Sequence, residues 1–236
     1  MHFECFFIRP ALLPFGLVVL DIVPRAHAVS FFCQAFVLAG EKAKRQAVKG
    51  FGGFGGHDKE AFIMKRMNHD LCCRAALAFN ASHPAPSGAV FRLADVADVD
   101  SIMEIGNACY ASDQPERHKI RHFVTGAHAA IFLLSLEGKD AGYVHLEAHS
   151  GRGNIYLNTT AVLPAYRGKG LGALLYDLTS YVARKAEASS VWCHVETGNE
   201  AGIYLLKKHG YIIERTEDPY YDDGKGAYVM RKKMKT

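Results

Sequence analysis

No stretch of this chain reaches the roughly 18 continuous apolar residues that a membrane-spanning helix needs, although 49% of its 236 residues are hydrophobic. Its six cysteines, Cys5, Cys33, Cys72, Cys73, Cys109 and Cys193, include no CxxC pair, and the vicinal Cys72–Cys73 has no histidine at matching spacing. A disulfide scaffold and a metal site are therefore not expected, and reduced thiols in a cytoplasmic protein are. Charge of one sign is also scarce: 28 Lys and Arg against 24 Asp and Glu leave a formal net charge of +4. No arginine-rich or aromatic-interleaved stripe accompanies that surplus, which argues against a nucleic-acid partner while suiting a small anionic ligand. The rest is ordinary globular composition, 22% charged, with apolar material for one core.

Residues 1–89 read as an extension and residues 90–236 as a domain. Ala11 to Leu20 is apolar and Ala26-His27-Ala28 follows, faintly like a secretory signal. Against that, Glu4 offsets Arg9 in the leading segment, and Asp21 and Arg25 interrupt the approach to the A-x-A triplet. A basic run from Lys42 to Lys49 precedes Phe51-Gly52-Gly53-Phe54-Gly55-Gly56, a flexible spacer by composition. Residues 80–89, with the cluster His83-Pro84-Ala85-Pro86-Ser87-Gly88, read as a linker. The extension is expected to be poorly ordered or foreign to the natural protein, and a start at Met67 would remove most of it.

From Val90 the pattern is regular. Val90 to Leu93 predicts a strand, and Asp95 to Tyr110 a helix with Ile102, Ile105 and Cys109 on one face. Ala130–Leu136 and Ala141–Glu147 predict a hairpin, and Ile155–Leu163 another strand. Gly170–Ala186 predicts a helix that buries Leu171, Leu174, Leu175, Leu178 and Val182. A strand at Val191–Val195, a helix at Glu200–His209 and strands at Tyr211–Arg215 and Tyr228–Lys232 complete a mixed α/β layer structure.

The densest chemical signal lies between the Ile155–Leu163 strand and the Gly170–Ala186 helix: Val162-Leu163-Pro164-Ala165-Tyr166-Arg167-Gly168-Lys169-Gly170-Leu171-Gly172-Ala173. A P-loop needs Gly where Leu163 stands and Ser or Thr where Gly170 stands, so that reading fails. A dinucleotide fingerprint fits Gly168 to Ala173 literally. Its acidic partner would be Glu187, at the tail of the helix and not at the end of a strand. A third reading is a pyrophosphate cradle, beside the plain alternative of a glycine-rich strand-to-helix turn that binds nothing. Missing Cβ atoms at Gly168, Gly170 and Gly172 free backbone N–H groups, the helix N-terminus adds partial positive charge, and Arg167 and Lys169 add full charges.

Arg167-x-x-Gly170-x-Gly172 resembles the pyrophosphate loop of the GNAT acetyltransferases. Asn199-Glu200-Ala201 opening a helix that ends Lys208-His209-Gly210-Tyr211 resembles that family's second motif. Pro219-Tyr220-Tyr221-Asp222-Asp223-Gly224 with Ala227-Tyr228-Val229-Met230 is similar to the C-terminal signature of the protein N-terminal acetyltransferases, the ribosomal-protein alanine type among them. The resemblance spans Val90 to Met234. It implies a mostly antiparallel sheet flanked by helices, acetyl-CoA as acetyl donor, and a primary amine as acceptor. It also implies that Thr160, Ala161 and Val162 line the acyl and pantetheine groups and that Arg167, Gly168, Lys169, Gly170, Leu171, Gly172 and Ala173 hold the diphosphate. Asn199 would bond the pantetheine arm, and Tyr110, Tyr220 and Tyr221 would meet the substrate.

His194 and Tyr156 stand where members of that branch carry catalytic residues, and a water-relayed Tyr156–His194 pair is the expected route for the amine's proton. A His titrating near ~6.5 suits that task; the plainer alternative is a His packed against Trp192 in the sheet. One departure is Leu206, where many family members carry a Tyr near the CoA sulfur, and Tyr204 lies too far round the helix to replace it. His118, His122, His128, His145 and His149 are expected to be mostly exposed, and Cys193 a small buried hydrophobe. The acceptor reads as the α-amino group of a protein or peptide. A small amine such as a polyamine, amino sugar or drug, and a non-catalytic CoA-binding module, stay open, as does monomer against homodimer.

Overall fold

The computed structural model describes residues 68–83, 88–110, 116–149 and 153–235. The apolar stretch at 11–20, the basic run, the glycine spacer and Met67 lie outside the described residues, as do Pro84 to Ser87 of the expected linker.

The first described element lies ahead of Val90, within the expected extension. His69–Ser82 is a helix (α1), and it buries Cys72, Ala75, Ala76 and Phe79, the i, i+3, i+4, i+7 spacing of one helical face. Asn68 caps it by accepting the Leu71 N–H at 2.8 Å. Phe79 packs edge-on to Phe91 and Tyr181, with ring centroids 5.4 and 5.6 Å away. Asn80 donates to the Phe91 carbonyl at 2.8 Å and accepts the Phe91 N–H at 3.0 Å. Its amide thus serves as the missing strand partner at an exposed sheet edge. The helix carries little pattern because its buried face is Cys72, Ala75, Ala76 and Phe79, one large residue among small ones, while Leu77 is exposed.

The strand beside it, β1 (Val90–Leu93), leads through a 3₁₀ turn at Val96–Asp98 into α2 (Val99–Cys109) and α3 (Arg117–Thr125). Asp95 and Asp98 form a capping box at that turn, and Arg92 clamps Asp98 with bonds of 2.6 and 2.8 Å. A meander of β2 (Ala129–Leu136), β3 (Lys139–His149) and β4 (Asn154–Val162) follows. Its first turn is only Glu137-Gly138, both at positive φ (53° and 77°), which is the geometry a two-residue hairpin requires. Then come a 3₁₀ turn at Pro164–Tyr166, α4 (Leu171–Lys185), β5 (Ser190–Glu196), α5 (Glu200–Lys208), β6 (Ile212–Glu217) and β7 (Ala227–Lys233).

The seven strands form one sheet in the order β1-β2-β3-β4-β5-β7-β6, antiparallel except where β4 meets β5. Alternation sorts the inner residues to two faces. Phe91, Phe132, Leu134, Leu146 and Leu157 pack with α1 and α4 on one side. Ile131, Leu133, Tyr143 and Ala161 pack with Ile102, Ile105 and Ile120 of α2 and α3 on the other. The β2 run Ala-Ile-Phe-Leu-Leu is apolar throughout because both its faces are covered. Glu187 sits in a left-handed turn (φ 51°) between α4 and β5, away from any strand end. The dinucleotide reading loses its acidic partner there.

If α1 belongs to the core, Phe79→Ala should lower unfolding free energy by ~3–5 kcal/mol, as large-to-small changes at fully buried aromatics do. Leu77→Ala, at a side chain 63% exposed, should stay within ~0.5 kcal/mol. Urea denaturation of both variants checks this; equal, small effects would put α1 outside the cooperative unit.

Candidate active site

β4 and β5 pair in parallel at Asn154/Ser190, Ile155/Val191 and Tyr156/Trp192 and then part, although β4 runs on to Val162 and β5 to Glu196. Beyond the last pair the two strands have no ladder bonds to each other, leaving a wedge of backbone amides and carbonyls between them. On β4, the Thr160 carbonyl accepts the Tyr110 hydroxyl at 2.8 Å, and the Val162 carbonyl accepts Arg167 Nε at 3.0 Å and the Cys109 thiol at 3.3 Å. α2 and the glycine loop are thereby tied to the outer stretch of one wall. The Thr160 hydroxyl is buried there beside the Tyr176 phenol.

At the wide end stands the glycine loop. Gly168 and Gly170 hold φ of 76° and 79°, and a Cβ on either would meet nothing within 4 Å, so the cradle is open as well as left-handed. Gly170 is the N-cap of α4 and no side chain caps that helix. Its first-turn N–H groups therefore face the open cradle with their partial positive charge. Lys169 lies 5.3 Å over the Tyr166 ring. These features fit a diphosphate. Leu171 and Ala161, each 1% exposed, have their side chains in the core, so only their backbones can serve a ligand. Asn199 Oδ1 caps α5 by accepting the Gly202 N–H at 2.9 Å, which leaves its amide nitrogen for any ligand contact.

At the narrow end, Tyr156 Oη lies 3.1 Å from His194 Nδ1. The two side chains share a direct hydrogen bond across the point where the strands part. His194 Nε2 lies 3.2 Å from Glu217 Oε2, and Arg215 holds the other oxygen of Glu217 at 2.7 and 2.9 Å. Tyr220 stacks on His194 at 4.1 Å with the rings 17° apart, and Tyr221 meets Tyr220 edge-on at 4.9 Å. Trp192 lies 5.5 Å from His194 on the same face, so the packed-histidine reading and the pair are one arrangement. Burial lowers the His194 pKa, opposed by its hydrogen bond to Glu217. Burial, then the neighbouring Tyr220, push the Tyr156 phenol up, and Arg215 chiefly holds the Glu217 carboxyl down. At neutral pH the site is a neutral imidazole between a phenol and a carboxylate.

Glu217 and Arg215 escaped the sequence reading. The one available signal is period-2 alternation on β6 directly before Pro219-Tyr220-Tyr221. Leu206 is 2% exposed in the core and Tyr204 is 68% exposed, so α5 offers the wedge no phenol. Burial raises the Cys193 pKa to about 12, which leaves an unreactive thiol. Among the described residues no three His, Cys, Asp or Glu side chains gather to hold a metal ion, and no helix is long and apolar enough to cross a membrane.

The sheet thus opens between β4 and β5, with the glycine loop at its mouth and the Tyr156–His194 hydrogen bond at its apex. Residues 99–211 match the sequence model described as the acetyltransferase (GNAT) family, and the chain carries a GNAT N-acetyltransferase domain. The N-terminal acetyltransferase A complex catalytic subunit NAA10 of Arabidopsis thaliana is 29% identical over 59% of this chain and 76% of its own. The crystal structure of the ribosomal-protein-S18-alanine N-acetyltransferase from Escherichia coli superposes with a TM-score of 0.58 at 21% identity, covering 63% of this chain and 95% of that one. The structure of yncA from Salmonella typhimurium with its cofactor acetyl-CoA gives a TM-score of 0.54 at 21% identity, over 63% and 95%.

His145 corrects the expectation of exposed histidines. It is 2% exposed, 4.4 Å from the Phe123 ring, with Glu147 Oε1 3.5 Å from its Nε2. Burial is the main cause of a pKa lowered to about 4 from 6.5. The unfolded chain binds this proton below pH ~6.5 and the folded chain only below ~4, so acid favours unfolding across that window. Stability should fall by roughly 3 kcal/mol from pH 7 to 4 on this group's account. Urea titrations at pH 7.0 and 4.5 should show a smaller drop for His145→Gln than for the wild type; an equal drop would contradict it.

Proposed function

We propose that this domain transfers the acetyl group of acetyl-CoA to the α-amino group of a protein or peptide, with Tyr156 and His194 taking up the amine's proton. The observation that carries the reading is the Tyr156–His194 hydrogen bond of 3.1 Å at the apex of the β4/β5 wedge. When bound, acetyl-CoA supplies a thioester whose acetyl carbon gains the new bond to nitrogen as its bond to sulfur breaks. Arg167, Lys169 and the N–H groups of Gly168 to Ala173 would hold its diphosphate. The open wall of β4 and the Asn199 amide would meet its pantetheine arm. Thr160 and Val162 would border the acyl end.

The residues of this chain manage the proton. As the amine attacks, its proton passes to Tyr156 Oη while the Tyr156 proton moves to His194 Nδ1. Two short transfers thus replace the formation of a phenolate, which burial of Tyr156 opposes. The ring of Tyr220, 39% exposed and stacked on His194, and Tyr221 would wall the approach of an extended backbone. Tyr110, fixed to β4 through its hydroxyl, would border it from α2. That wall, and the protein N-terminal substrates named for the Arabidopsis and Escherichia coli relatives, favour a peptide over a polyamine, amino sugar or drug.

The test is an acetylation panel read by mass spectrometry, with acetyl-CoA and peptides bearing free N-termini, the same peptides N-terminally blocked, spermidine and glucosamine. Acetylation of free α-amines is expected. Turnover on the small amines alone would replace the substrate class, and turnover on none would leave a CoA-binding module. His194→Ala and Tyr156→Phe should each lower turnover ~10²-fold. His194→Ala should also abolish the enzyme's acid limb below pH ~6.5, which is separate from the substrate amine near ~8; an unchanged limb removes His194 from the chemistry. Arg167→Ala should weaken acetyl-CoA binding about tenfold by calorimetry, with turnover at saturation near wild type.

A further inference from the structure

Glu217 ends β6, two strands away from His194, yet its carboxylate reaches the imidazole. The register explains how. Arg215, Val229 and His194 form one row across β6, β7 and β5, and Glu217, Ala227 and Glu196 form the next row on the same face. Ala227, a methyl group at the middle of its row, leaves Glu217 room to cross β7 diagonally. Arg215 occupies one carboxylate oxygen through Nε and a terminal nitrogen, which turns the other toward Nε2. The carboxylate is therefore fixed from behind and directed forward.

We infer that Glu217 is a positioning residue that completes a Tyr156–His194–Glu217 chain, setting the tautomer of His194 and balancing the charge it acquires. This rests on His194 being the base. With Nε2–H donating to Glu217, the proton of neutral imidazole is on Nε2 and the lone pair is on Nδ1, facing Tyr156 Oη. When Nδ1 takes the Tyr156 proton, the positive charge forms beside the carboxylate; no proton leaves Nε2, and the imidazolium later returns its proton to water. Without Glu217, the tautomer protonated on Nδ1 becomes equally available, and it cannot accept from Tyr156. The other titratable or charged groups near the ring are Tyr156 from β4, Tyr220 from the β6–β7 connection and Arg215 from β6. Arg215 is the one of these that opposes the imidazolium.

Glu217→Gln keeps an oxygen for Nε2–H and removes the charge; Glu217→Ala removes both. In the full chain, with acetyl-CoA and an acetylated peptide substrate from the panel, Glu217→Gln should keep KM for acetyl-CoA and lower kcat about tenfold. It should also move the acid limb to lower pH by about one unit. Glu217→Ala should lower kcat further, with Glu217→Asp restoring part of it. Wild-type kcat and limb in both Gln and Ala variants would overturn the inference, as would a change confined to the peptide's KM. If His194→Ala itself keeps wild-type turnover, the base assignment fails; if His194→Ala is impaired while the Glu217 variants are normal, only Glu217 is misassigned.

Discussion

The separation of β4 from β5 is the constraint on which the rest of this molecule depends. Three parallel pairs, ending at Tyr156 and Trp192, hold the two strands together, and beyond them each strand finds its partner on its outer side only. An open seam inside a sheet leaves polar backbone groups without ladder partners, a cost that a fold normally avoids. It is tolerated here because the neighbours are firm: β3 pairs with β4 to Val162, and β7 pairs with β5 to Glu196. Two cores, one under α1 and α4 and one under α2 and α3, clamp the sheet from its faces. Rigid walls with an unmade seam are what a narrow, amide-bearing ligand needs.

The position of the Tyr156–His194 pair follows from the same geometry. Tyr156 is in the last paired row and His194 is the second residue beyond Trp192, so their side chains meet where the strands begin to part. Burial keeps the imidazole neutral and the phenol protonated. A cation forming on the partly buried His194 would gain from a counter-charge, and the Glu217 carboxylate at 3.2 Å lies where that charge would appear. Tyr220, stacked on the other face of the ring, couples the loop that would meet an acceptor to the group that would deprotonate it.

Much of this was legible in the sequence, for identifiable reasons. Strands β2 to β5 and helix α4 announced themselves by period, and the glycine loop by residue types whose backbone freedom has one economical use between a strand and a helix. The residues least legible were those whose meaning depends on partners far along the chain. His145 looks like any strand histidine until Phe123 covers it. Glu217 looks like an exposed β6 acid until Ala227 lets it reach across β7. Helix α1 was missed because alanines and cysteines bury well while carrying little pattern, and its contact with β1 runs through one asparagine, Asn80.

The wedge and the glycine cradle should receive acetyl-CoA together. Hydrogen–deuterium exchange of the full chain, followed by mass spectrometry with and without acetyl-CoA and with NAD as control, tests this directly. Acetyl-CoA should slow exchange in two separate segments, from β4 through the first turn of α4 and at the start of α5 around Asn199, while NAD leaves both unchanged. Protection absent from the Thr160–Ala173 amides, or equal protection by NAD, would contradict it.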